Sequence, residues 1–316
     1  MASKFTIHNG IESNDVNSPV NFTLGLQVDG VSVVGTSGQV RFVDASVPDD
    51  TGDGVSRTTA FQVLQDAIDA ASPSDVILVY PGTYNENLVV TTDYLSIVGV
   101  HTGYGRPDVT PTIGTPLTVS AQGFRCQRMR FAADDGTDAV IQEGNGFLYD
   151  DCVFDGATDA NEAGLRLKGN ADDDGLTASE GVVSNCLVRG NAIGICFDTG
   201  NAPGNGVGST HNVIVGCRFV DNTAPDLATA DTGGGTYSVQ DTVVRGCSFA
   251  EPKNKATWVD FTTSNGGAAS DQTGTLEDCY FNDDTVDTTA VKIVGTGWGV
   301  VGCHSMDGEF DGSGLD

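Results

Sequence analysis

The chain has 316 residues and a net charge of −28, from 43 acidic against 15 basic residues. That length buries a large core in one unit, the acidic field repels phosphate backbones and so excludes nucleic acid as a partner, and no apolar stretch is long enough to span or anchor in a membrane. The acidity is carried by 35 aspartates against 8 glutamates, with only 5 lysines; such a surface stays hydrated where molar salt screens repulsion, and predicts a hypersaline host, with an acidic marine or calcium-rich setting as the other reading.

Met1 to Asn21 has one lysine and no apolar run of seven residues, so no signal peptide is expected and the chain is expected to be made in a cytoplasm. Residues 1–43 read as a small β module. Leu24, Leu26 and Val28 alternate, Asp29-Gly30 supplies a two-residue hairpin turn, Val31 and Val33 alternate back, and a third strand comes near Val40 to Val43. The module is either a docking element or the capping strands of the region after it. Residues 44–75 form a lead-in turn and a capping helix: from Ser56 to Ala71 the apolar spacing is helical, with Phe61, Leu64, Ala67 and Ile68 on one face, and Ser72-Pro73-Ser74 ends it. The strand-like runs Asp75-Val-Ile-Leu-Val-Tyr80 and Tyr94-Leu-Ser-Ile-Val98 open the next region, residues 76–305, and residues 306–316 are a tail.

Within that region one phrase recurs seven times: an apolar residue, two residues, a sulfur residue, then usually an aromatic two places on. Its sulfurs are Met129, Cys152, Cys186, Cys217, Cys247, Cys279 and Cys303, separated by 23, 34, 31, 30, 32 and 24 residues. Val, Ile, Phe and Gly in the phrase and Gly, Asn and Asp between copies oppose a helical repeat, so each phrase reads as one short strand per coil of a β-solenoid. Asp151, Asn185, Gly216, Gly246, Asp278 and Gly302 precede the sulfur in six copies, types that tolerate a left-handed backbone, which predicts a tight turn there. Coils about 4.8 Å apart would stack Cys152, Cys186, Cys217, Cys247, Cys279 and Cys303 into an interior ladder of apolar thiols, near enough for occasional disulfides. No CxxC pair exists and His8, His101, His211 and His304 are scattered, so no transition metal is expected.

The order Val43-Asp44-Ala45, the Asp/Gly turn Asp49 to Gly54, Thr59-Ala60-Phe61 leading Leu64-Gln65-Asp66-Ala67-Ile68, then Asp75-Val-Ile-Leu-Val and Pro81-Gly82-Thr83-Tyr84-Asn85-Glu86 resembles the start of the pectate-lyase-like right-handed parallel β-helix superfamily, and within it the β-helix proteins of tailed-virus particles. The likeness covers about residues 40–305, its specific motif lies in 43–86, and Leu24 to Val33 is similar to the particle-attachment segments of viral fibres. The resemblance implies an all-β solenoid. It leaves activity open, because that superfamily includes lyases, hydrolases, epimerases, virion spikes and inert solenoids. Its enzymes work along a lateral groove with carboxylates, often calcium, and an arginine or lysine. The pectate lyase pattern Arg-x-Pro-x-x-Arg is missing here, since Arg106-Pro107 has the wrong order. Of the polygalacturonase set Arg166-Leu167-Lys168 matches alone: Asp283-Asp284 comes after it in the chain and there is no Gly-His-Gly. No catalytic residue is therefore assigned.

Asp49, Asp50 and Asp53, in a Gly-containing turn, offer hard oxygens to calcium, as does the run Asp172, Asp173 and Asp174; neither fits an EF-hand. Two coils cross with only Gly144-Asn145-Gly146 and Gly295-Thr296-Gly297, whereas the four between them carry insertions at Asn170 to Glu180, Thr199 to Thr210, Asn222 to Gly235 and Thr263 to Gly274. Insertions at one register of successive coils stack into one decorated face. Its candidate binding residues are Asp172, Asp173, Asp174, Asn201, Asn205, Asp231, Tyr237, Asn265 and Asp271. Trp298 aligns with Phe124 and Phe147 and is expected in the core, while alternation leaves Trp258 undecided. With the resemblance, these features lead to a virion surface protein of a tailed virus of a halophilic archaeon: a spike, tail fibre or capsid turret, homo-oligomeric (a trimer first, a pentamer or hexamer next), attached to other virion proteins by its amino-terminal module and meeting a host glycan or glycoprotein. The alternative is a polysaccharide lyase or hydrolase.

Overall fold

The structure, a computed structural model, describes residues 26–28, 31–33, 38–49, 51–101, 105–134, 136–169, 177–198, 209–230, 239–250, 258–261, 273–282, 291–294, 298–305 and 310–313, with Leu26–Val28, Val31–Val33, Val291–Val294 and Phe310–Ser313 described by backbone alone. Three all-parallel sheets run along the molecule. The first holds ten strands, from Val40–Val43 to Trp298–Val301; the second nine, from Thr83–Tyr84 to His304–Ser305; the third nine, from Leu88–Val90 to Phe310–Ser313. The chain visits the sheets in turn and each strand pairs with its counterparts one coil before and after, which makes a three-sided β-helix. Among the described residues no helix is long and apolar enough to cross a membrane.

The repeated phrase, expected as one strand, is a corner. Thr242–Arg245 ends in the first sheet, Gly246 turns at φ 60°, and Ser248–Ala250 begins in the second. A left-handed residue breaks the strand, so the apolar residue and the aromatic of each phrase sit on different sheets. All six predicted positions take positive φ, between 50° and 64°, and Arg128, before Met129, takes 58°.

Parallel register turns each inward position into a column. Phe219, Phe249 and Phe281 pair in register and stack with centroids 4.8 and 4.6 Å apart and planes within 7°. Leu88, Leu117, Val140, Leu165, Ile195, Leu227 and Val259 form the matching column of the third sheet, all buried. The sulfur ladder lies between, buried from Cys152 to Cys279 and half-buried at Cys303, with every thiol free. Each thiol reaches back to a carbonyl of the preceding coil: Cys217 to Val183 at 3.5 Å, Cys247 to Ile214 at 3.7 Å, Cys279 to Val244 at 3.7 Å. Those weak donations satisfy the sulfurs without a bond between them.

The ends differ from expectation. The helix is six residues, Leu64–Asp69, because Phe61 continues extended and bridges Val43 before it begins. Leu64, Ala67 and Ile68 bury into the core as the cap, while Glu86 accepts the N–H groups of Leu64 and Gln65 at 2.9 and 2.8 Å. Tyr84 in the same motif donates to the Tyr80 carbonyl and accepts from Ala45 N–H. The specific motif of residues 43–86 is thus the fastening of the cap. Val40–Val43, grouped by sequence with the hairpin, pairs in parallel with Val76–Val79 and is the first rung, whereas among the described strands Leu26–Val28 and Val31–Val33 pair with each other alone. Within the expected tail, Phe310–Ser313 pairs with Val291–Val294 and extends the third sheet. Both shifts arise because a sheet edge offers unpaired backbone groups to the strand beside it.

Replacing Phe249 by Ala removes the middle ring of the stack and leaves a cavity that its neighbours cannot fill, at a cost of about 3–5 kcal/mol measured by chemical denaturation.

Candidate functional site

The insertions leave and rejoin the solenoid at one corner, between the third and first sheets. They come after Ala163–Lys168, Ile193–Asp198, Leu227–Ala230 and Val259–Asp260, and return before Val182–Ser184, Val213–Val215, Thr242–Arg245 and Gly274–Glu277. The third was expected from Asn222 to Gly235. Its first part belongs elsewhere: Leu227–Ala230 is a strand of the third sheet, and Asn222 is buried at the preceding corner, where its side-chain carbonyl accepts from the backbone and side-chain N–H groups of Asn191, both at 3.1 Å. This asparagine ladder satisfies backbone groups that the turn exposes, and loop-like neighbours hide its spacing in the sequence.

The first three returns land on left-handed residues, Glu180, His211 and Asp241, with φ of 55°, 56° and 50°, as the short crossing does on Gly146 at 66°. The landing points are hydrogen bonded to one another, Glu180 N–H to the Thr210 carbonyl at 2.9 Å and His211 N–H to that of Gln240 at 2.8 Å. Beneath them Asn212 is buried, accepting from Gly181 N–H at 2.8 Å and donating to Ser209 Oγ at 2.7 Å. His211 and Asp241 meet on the outside at 3.4 Å. The roots of the insertions are therefore aligned and rigidly seated. Asp172, Asp173, Asp174, Asn201, Asn205, Asp231, Tyr237, Asn265 and Asp271 lie outside the described residues.

Beside this corner, the outer face of the third sheet carries a cluster whose polygalacturonase-like basic pair was visible in sequence, but not its partners. Strand alternation points Arg166 and Lys168 outward. Arg166 grips Asp138 with two bonds of 2.7 and 2.9 Å, reaches Asp198 at 3.3 Å, and donates to the Asn161 carbonyl; Lys168 pairs with Glu143 at 2.9 Å. Arg166 and Asp198 are almost fully buried, an arrangement that holds only because charges and hydrogen bonds are matched. Cys196, the one cysteine off both inward columns, is buried 3.3 Å from Arg166; burial pushes its thiol up to about 12 against the pull of the guanidinium, leaving it a poor nucleophile. Glu162 nearby has one buried carboxylate oxygen without a partner, and burial together with Asp159 and Asp138 holds its pKa above the usual range.

The acidic turn is self-satisfied at its described positions. Asp49 accepts from the Thr51 N–H and hydroxyl, Asp53 from Val55 N–H and the Thr59 hydroxyl, and the Thr59 bond leads in holding Asp53 below the usual carboxylate range. Asp50 lies outside the described residues. Among those described, no three His, Cys, Asp or Glu side chains gather as a metal would need. Trp298 is in the core, stacked on Phe261 at 4.0 Å, and Trp258 is buried against Phe281; neither is a platform for a sugar.

Glu162→Gln is expected to raise the thermal midpoint at neutral pH. A carboxylate whose folded pKa lies above its unfolded value opposes folding when ionised, so the gain should shrink as pH falls through the folded pKa and vanish below the unfolded one; paired melts at pH 7 and in acid measure it.

No family model matches the sequence, and no curated protein matches it. Among solved structures the chain is similar to pectate lyase Pel9A, with TM-score 0.56 and 12% identity over 88% of this chain and 73% of that one. Weaker likenesses are to an alginate lyase from Paenibacillus sp. str. FPU-7, TM-score 0.49 and 15% identity over 87% and 98%, and to tailspike protein gp49 from Acinetobacter baumannii bacteriophage Fri1, a capsular polysaccharide depolymerase, TM-score 0.44 and 11% identity over 96% and 64%. At such identities the likeness concerns the backbone, and the fold is the pectate-lyase-like right-handed parallel β-helix.

Proposed function

We propose that the chain is a surface protein of a tailed-virus particle with a halophilic host, a spike, fibre or turret whose β-helix projects an edge of insertions toward a glycan or glycoprotein of the host envelope. The observation that carries this reading is the corner itself. Successive insertions rise from hydrogen-bonded, left-handed landing points held by buried Asn212 and Ser209, which is how a rigid scaffold presents variable loops to a partner. Beside it Arg166 and Lys168 are engaged by Asp138, Asp198 and Glu143, which favours a structural role for this cluster over proton transfer. The hairpin Leu26–Val28 and Val31–Val33, paired to no other described strand, suits attachment to the particle. A lyase or hydrolase is the second reading, favoured by the same outward Arg166 and Lys168 lying among carboxylates.

Replacing residues 199–208 with the short crossing Gly144-Asn145-Gly146 should abolish binding to the halophilic cells that the native protein recognises, at an unchanged unfolding midpoint. Retained binding would sink the proposal, and shortened chains or unsaturated ends in exopolysaccharide incubated with the native protein would promote the enzyme. The Asp-rich surface also predicts a thermal midpoint that climbs from physiological to molar potassium chloride; a flat curve counts against the halophilic host.

A further inference from the structure

We infer that the outer face of the first sheet is where two copies of this chain meet, and that the meeting line is the row Leu148, Val182, Val213 and Val243 with Val215 beside it. The inference rests on the homo-oligomeric part of the reading above and names the surface that part lacks. The three outer faces differ in kind. The second sheet carries an ion ladder, Arg130 joining Asp108 and Asp155 with Arg189 on Asp155 at 3.2 Å. The third buries Cys196, Asp198 and Arg166.

In its middle coils the first sheet carries aliphatic residues outside as well as inside. Its strands read Val182-Val183, Val213-Ile214-Val215 and Val243-Val244, near-continuous aliphatic runs, where the second sheet alternates as Arg218-Phe219-Val220 and Ser248-Phe249-Ala250. Continuous runs mark parallel strands covered on both faces. Register places Leu148, Val182, Val213 and Val243 in one outward line, each half-buried within the single chain. Nearer the amino-terminal end the same face is already covered: Val76, Leu78 and Val98 point outward and are buried in a second apolar cluster with Tyr80 and Val100. Ser96 and exposed Arg125 lie between that covered surface and the row.

Charge selects the occupant. From Ser96–Gly99 to Trp298–Val301 the outward charged side chains of this sheet are Arg125, Asp150, Arg245 and Glu277, two of each sign, in a chain of net charge −28. A second copy of this acidic chain meets no net repulsion here. An identical row at the same coil spacing also matches it rung for rung when two copies lie parallel, so Val213 of one copy faces Val213 of the other.

Sedimentation equilibrium in molar potassium chloride should give a multiple of 32.7 kDa for the native chain, and the monomer mass for Val213→Asp with an unchanged far-ultraviolet spectrum. In a Cys303→Ala background, Val213→Cys should be joined into covalent dimers by a short bismaleimide, while Leu187→Cys on the outer face of the second sheet should not; this arm decides the matter if the aspartate variant misfolds. A monomeric native chain, or dimers from Leu187→Cys and none from Val213→Cys, would overturn the inference. An oligomer broken at Val213 together with binding that survives loss of residues 199–208 would leave this surface standing and remove the receptor edge.

Discussion

The parallel hydrogen bond between one coil and the next governs everything else in this molecule. It fixes neighbouring strands about 4.8 Å apart without offset, so a residue type chosen once must be compatible with the residues above and below it. Phenylalanine satisfies the rule by stacking, as Phe219, Phe249 and Phe281 do; cysteine satisfies it by being small and reaching a carbonyl of the preceding coil. Trp298 shows the limit of the rule. The position one coil earlier is Gly274, where an added Cβ would lie 2.5 Å from the indole, so the large ring occupies two coils' worth of space.

The same constraint organises the polar groups. A turn repeated coil after coil exposes the same backbone atoms each time, and Asn191 and Asn222 each answer with a side chain that donates to a carbonyl of the preceding coil and accepts from an N–H of that coil. Charges obey the same rule on the outside, where Arg130 sits between Asp108 and Asp155 of adjoining coils and Arg166 between Asp138 and Asp198. Since isolated surface pairs contribute little, the value of these ladders lies in their networks and in the near-complete burial of the Arg166 group. The acidic chain thus commits many of its few cations to internal neutralisation.

Function is pushed by this constraint to positions that the ladder does not use. A coil can lengthen only where its backbone leaves the sheet, and the corner between the third and first sheets is where length varies most. Left-handed Glu180, His211 and Asp241 let insertions of different sizes return to a common register, so sequence can change above them while the columns below stay intact. The motif of residues 43–86, the most specific stretch of the chain, works in the opposite sense. Glu86 and Tyr84 fasten the helix over the open end of the core, and that need is shared by solenoids of any activity.

Solenoid class, the left-handed corner before each sulfur and three of the four insertion sites were legible in the sequence, because a repeat reports its own geometry: the same local requirement is written several times and noise averages out. The tertiary structure was needed for whatever depends on a partner from another coil. The phrase looked like one strand because nothing in Val244 to Phe249 says that its halves face different sheets. Asn222 looked like loop because its partner, Asn191, is a coil away, and Leu227–Ala230 was too short and mixed to stand as a strand without Ile195–Asp198 beside it. The helix shrank to Leu64–Asp69 because the edge of Val43 claimed Phe61. Arg166 and Lys168 were visible as a basic pair, but only folding could set Asp138, Asp198 and Glu143 against them. Local chemistry determined the coil; the stacking of coils decided which of its residues are core, fastening or surface.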